Sequence, residues 1–155
     1  MSYHSFIRRL HPIAGGMGLA TIAIFQVSTL LVETFGSPAD IAAVKIAILW
    51  GLPLLIASLA SAGATGFRLS TTDREGRAVK IARMKHIARN GLLVLVPAAF
   101  FLAWKAASHA FDFWFYSVQA VEFLAGAVNF ALLACNMRDG LAHREGMVAF
   151  SREER

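Results

Sequence analysis

The chain carries four apolar runs, each close to the ~20 residues that a helix needs to cross the ~30 Å hydrocarbon core of a bilayer. They cover about 12–34, 41–63, 90–108 and 113–137. Backbone N–H and C=O groups find no water in that core. A spanning segment must satisfy them internally, as a helix does and an open strand does not. The expected fold class is therefore all-α, an integral membrane bundle of four transmembrane helices forming one domain over residues 1–155. Composition agrees: 57% of the residues are hydrophobic and 16% are charged, against about 25% charged in soluble domains. These values argue against a soluble enzyme. The first run is longer than the roughly 7–15 residues of a secretory signal, so it reads as a retained helix.

The formal net charge is +5, and its placement explains it. Arg8 and Arg9 precede the first run. Arg68, Arg74, Arg77, Lys80, Arg83, Lys85 and Arg89 fill the loop 64–89, and Arg138, Arg144, Arg152 and Arg155 lie in the tail 138–155. Of the 15 Lys and Arg residues, only Lys45 and Lys105 lie elsewhere. The positive-inside rule then puts both termini and the long loop in the cytoplasm, in a multi-pass protein of a bacterial inner membrane. Trp104, Trp114 and Tyr116 cluster at the opposite interface, where aromatic rings favour the headgroup region. The basic charge is thus a topology signal, and no nucleic-acid partner is expected. The partners expected are anionic lipids at the basic loop, and another membrane protein or a second copy of this chain.

Polar residues inside the runs are the exceptions that need a reason. Gln26, Thr29 and Glu33 share one face of the first helix, and Glu122, Asn129 and Asn136 repeat every seven residues on the fourth. Gln119 lies one turn above Glu122. Lys45 is the evident counter-charge for Glu33 or Glu122, reached by its flexible stem. Glu122 is expected roughly 13 Å from the outer end of its helix, near the midplane. Such a seam serves either as interhelical glue or as a proton or quinone site built from Glu122, Lys45, Gln119, Gln26 and Glu33.

Three helices bring a histidine toward the basic side: His11, His86 and His143. His11 and His86 are the candidate axial ligands for the iron of a haem b. His109 and Asp112 offer two metal-type ligands at the outer loop, a weak set. Cys135 is the only cysteine, which excludes an intramolecular disulfide, and it reads as a packing residue. Ala14-x-x-x-Gly18 and Ser58-x-x-x-Ala62-x-x-x-Gly66 supply small residues for close helix approach. Pro12 suits a first turn, whereas Pro53 and Pro97 are expected to kink their helices by freeing the carbonyls of Leu49 and Leu93.

The function expected is a small membrane subunit that binds haem b or quinone within a larger electron-transfer assembly. Its architecture is similar to that of small membrane cytochrome subunits. The alternatives are a non-catalytic accessory subunit, and a dimeric proton-coupled carrier using Glu122.

Overall fold

A computed structural model describes the backbone over residues 3–69 and 74–153, and side chains over 5–68 and 78–142. The side chains of His143, of Arg74 and Arg77, and of the basic tail beyond 142 lie outside the described residues. Helix α1 runs Tyr3–Phe35, α2 Pro38–Leu69, α3 Arg74–Asn90, α4 Val96–Ala107 and α5 Phe113–Glu153. A π-helical turn, Gly91–Leu95, joins α3 to α4. No strand occurs among the described residues. Four helical stretches are long and apolar enough to cross a membrane: Ser5–Phe35, Pro38–Arg68, Ala78–Ala107 and Phe113–Ala142.

The helices are longer than the apolar runs that announce them. The segment 64–89, read as a loop into which the third helix could extend backward, is largely helix, ending α2 and forming α3. Its composition explains this: Arg74–Asn90 is rich in Ala, Arg, Lys and Met, all strong helix formers. Apolar periodicity alone reports burial rather than helicity. Likewise α1 begins nine residues before Pro12, which therefore sits inside the helix rather than in its first turn. Burial of Ile7 and Ala14, a heptad apart, anchors those early turns.

Both hairpin turns are specified locally. Ser37 and Asp40 cap α2 reciprocally: the Ser37 N–H donates to Asp40 Oδ2 at 2.8 Å and the Asp40 N–H to Ser37 Oγ at 3.3 Å. A side chain at Gly36 would bring its Cβ within 2.6 Å of the Val32 carbonyl oxygen. At the other turn the N–H of His109 donates to Ala106 O at 3.0 Å, and that of Ala110 to Lys105 O at 2.9 Å. This Schellman closure puts His109 at φ 51°, a left-handed position usually given to glycine. Asp112 Oδ1 then accepts the Phe115 N–H at 3.0 Å and caps α5.

The bundle is antiparallel, up-down-up-down. Around it, α1 packs on α2, α2 on α4, α4 on α5 and α5 back on α1, leaving α2 and α5 on a diagonal. The described Lys and Arg residues other than Lys45 and Lys105 sit toward the end opposite the two hairpin turns. Glycines admit close contacts. Gly51 sits beneath the Phe25 ring, Gly66 beneath His11 and Gly126 beneath Gln26; a Cβ at these positions would lie 2.6, 2.9 and 2.9 Å from them.

The π-helical turn ends just before Pro97. Proline lacks an N–H and crowds the carbonyl four residues back, and the wider turn takes up that mismatch: the Val96 N–H bonds to Gly91 O.

Most apolar surface faces outward. Only 17–33% of the most apolar stretch of each candidate span is buried within the chain, and Trp50 is 82% exposed. The interior holds two apolar clusters. Ile41, Leu102, Ala106 and Phe115 form one near the hairpin end, and Ile22, Ile48, Leu52, Leu55, Ile87, Ala99 and Leu133 form the other.

Candidate functional site

A polar layer separates the two apolar clusters. Lys45 lies one turn from Ile41 on one side and from Ile48 on the other. It is 1% exposed. Its Nζ donates to Glu122 Oε2 at 2.7 Å, across the diagonal from α2 to α5. Gln119 Nε2 donates to the same oxygen at 3.2 Å. Between the sequence's two candidates for the Lys45 counter-charge, the bond goes to Glu122.

Glu33 closes the layer from α1, within electrostatic range of both Lys45 and Glu122. Its Oε1 is buried with no hydrogen-bond partner, and so is Oε1 of Gln119. A buried unpaired acceptor costs about 1–3 kcal/mol, so two of them in one layer mark a place suited to a donor. The charge count points the same way. Two carboxylates, Glu33 and Glu122, face a single ammonium, Lys45, and in a low-dielectric interior the imbalance favours one further positive charge. Gln26 stands beside the layer. Its Nε2 donates to the Phe123 carbonyl at 2.8 Å and fixes the α5 backbone next to Glu122. Hydrogen bonds thus join Lys45, Gln119 and Glu122, with Glu33 in electrostatic range, whereas Gln26 bonds only to the α5 backbone at Phe123.

His11 and His86 are each engaged by partners of their own. His11 Nδ1 lies 3.1 Å from Ala62 O and 3.0 Å from Thr65 Oγ1. A carbonyl only accepts, so Nδ1 carries the hydrogen and Nε2 keeps its lone pair. His86 has the opposite arrangement. Arg89 Nη2 lies 3.2 Å from its Nδ1, and a guanidinium only donates, so that lone pair is taken. The two rings hydrogen-bond to different elements. Among the described residues no three His, Cys, Asp or Glu side chains group into a metal site. At the α4–α5 turn, Asp112 is engaged by Lys105 and by its capping bond.

The lower part of the α5 stripe is fully occupied. Asn90 Nδ2 donates to Asn129 Oδ1 and to Ala125 O, both at 2.9 Å, while Asn129 Nδ2 donates to Ile87 O at 3.2 Å. Arg83 Nη1 reaches Asp139 Oδ2 at 2.6 Å and Asn136 Oδ1 at 3.4 Å. Sequence reasoning missed Asn90 and counted Arg83 only as topology charge. The one available signal was an asparagine bordering an apolar run that also holds Gly91 and Pro97. No family model, no curated protein and no solved structure matches the chain.

Proposed function

We propose that this chain is a small multi-pass membrane subunit whose buried polar layer takes up and releases a proton in a quinone-linked electron-transfer assembly. The observation that carries the reading is the pairing of two carboxylates, buried Glu122 and half-buried Glu33, with the single ammonium of Lys45, together with the orphaned Oε1 of Glu33. A proton on Glu33 restores neutrality and turns its orphan acceptor into a donor. Quinone reduction consumes protons along with electrons, so a proton-exchanging carboxyl within the apolar core suits that partner chemistry. The outward-facing apolar belt supports membrane insertion. The basic end supports a bacterial inner-membrane topology, with both termini and the α2–α3 connection cytoplasmic. Should haem b be the electron carrier, His11 Nε2 is the ligand this chain offers, and the second ligand comes from a partner.

Infrared spectroscopy of the reconstituted protein tests the reading. The wild type is expected to show a deuterium-sensitive C=O band of a protonated carboxyl. Glu122→Gln or Glu33→Gln leaves one carboxylate against Lys45 and removes the band while the bundle stays folded. A wild type without such a band, or a band indifferent to both substitutions, leaves the layer as interhelical glue. The chain would then be an accessory subunit.

A further inference from the structure

The seam between α3 and α5 opens beside the π-helical turn into a groove of about 410 Å³. Leu93 and Val94 of that turn line it together with Asn129 and Leu132 of α5. The groove floor is fixed. Asn90 and Asn129 clasp there, and Asn129 is 1% exposed with both polar atoms bonded. Its two ends differ in character. At one end His86 and Arg89 are exposed, with the guanidinium against the imidazole. Among the described residues no carboxylate lies within salt-bridge distance of Arg89, although Arg83, on the same helix, is paired with Asp139. The other end is apolar: Leu93, Val94, Val128 and Leu132, with Leu93 65% and Val128 54% exposed.

A positive mouth continuous with an apolar trough matches an amphiphile with an anionic head. We propose that this groove binds one anionic glycerophospholipid, its phosphate against Arg89 and His86 and an acyl chain along Leu93, Val128 and Leu132. Charge complementarity selects this occupant. A free anion would leave the apolar wall unused. A second copy of the chain packed on Leu93 and Val128 would leave Arg89 without a counter-charge. The proposal rests on the chain sitting in a bilayer and is independent of proton exchange at the Lys45 layer.

The test is native mass spectrometry of the full chain released from nanodiscs holding equal phosphatidylglycerol and phosphatidylcholine. The wild type is expected to retain phosphatidylglycerol preferentially. Arg89→Ala should reduce that retention about fivefold, the worth of one basic residue near a lipid surface. Val128→Trp, which fills the trough without touching the charges, should reduce it too. Lys85→Ala, exposed on the same helix but outside the groove, should not. Equal retention of the two lipids by the wild type, an unchanged Arg89→Ala, or an equal loss in Lys85→Ala overturns the proposal. So does full displacement of the lipid by inorganic phosphate. Flotation with phosphatidylcholine vesicles is measured alongside. A chain that fails to float overturns the bilayer reading and the groove with it, whereas flotation without lipid preference overturns the groove alone.

Discussion

Lys45 and Glu122 join two helices that otherwise share little contact, their 2.7 Å bond crossing the bundle diagonal. Two consequences follow from this placement. The pair fixes the distance between α2 and α5 where no backbone packing does. It also leaves Glu33, on the neighbouring helix, as the reserve partner for Lys45.

That reserve makes the three charged residues unequal under substitution. Lys45→Met strands the buried carboxylate of Glu122, with half-buried Glu33 beside it, and should cost about 3–5 kcal/mol. Glu122→Gln keeps Lys45 opposite Glu33 and should cost no more than about 2 kcal/mol. Lys45→Met/Glu122→Leu should recover most of the loss. Thermal unfolding in detergent measures all three, and strictly additive single effects would refute the coupling.

The glycine beneath Phe25 should tolerate little. Gly51→Ala puts a methyl 2.6 Å from the Phe25 ring and should destabilise by about 1–3 kcal/mol, with Phe25→Leu relieving most of the strain. Gly15→Ala meets nothing within 4 Å and should gain up to ~1 kcal/mol from helix propensity. A matched pair of melting curves decides it, and equal shifts in the two variants would count against the close-contact account.

The turn between α4 and α5 closes on His109 at φ 51°, where a Cβ is unfavourable by roughly 1–2 kcal/mol. His109→Gly should therefore stabilise the bundle by about 1 kcal/mol. A lower melting temperature for this variant would show that the ring's edge contact with Phe111 outweighs the backbone term.

Acid should loosen the start of α5. The hydrogen bond from Lys105, followed by that from the Phe115 amide, holds the Asp112 carboxyl below the usual carboxylate range. A depressed folded value stabilises above the unfolded one, about 3.9, and that contribution is lost as pH falls through the folded value. The hydrogen-exchange protection factor of the Phe115 amide should drop below about pH 4. In Asp112→Asn, which keeps an acceptor but no charge, it should become flat with pH. A protection factor that is constant in the wild type would rule the mechanism out.

The residues show which features the sequence could carry. Four apolar runs announced four helices, because a helix apolar enough to cross a membrane shows as long unbroken hydrophobicity. Lys45 announced a buried partner, because an ammonium in that setting needs one. Which carboxylate it chose was illegible. Glu33 and Glu122 both lie within reach of a flexible stem, and only the bundle order sets α5 across from α2. The continuation of α2 and α5 past their apolar ends was hidden for a different reason. Helix formers such as Lys80, Arg83, Lys85 and Arg138 carry the chain on as helix without an apolar period. The seat of His11 beside Ala62 and Thr65 depends on residues more than fifty positions away, which no local pattern encodes.

The three contacts beneath Phe25, His11 and Gln26 lie at different heights along α1 and on two different neighbours. Together they act as the teeth of a key. Sliding α1 by one residue rotates its face by about 100° and takes every tooth out of its notch at once, so no neighbouring register keeps part of the fit. The three contacts accordingly fix one register for the first helix, and that register indexes the height of Glu33 against Lys45.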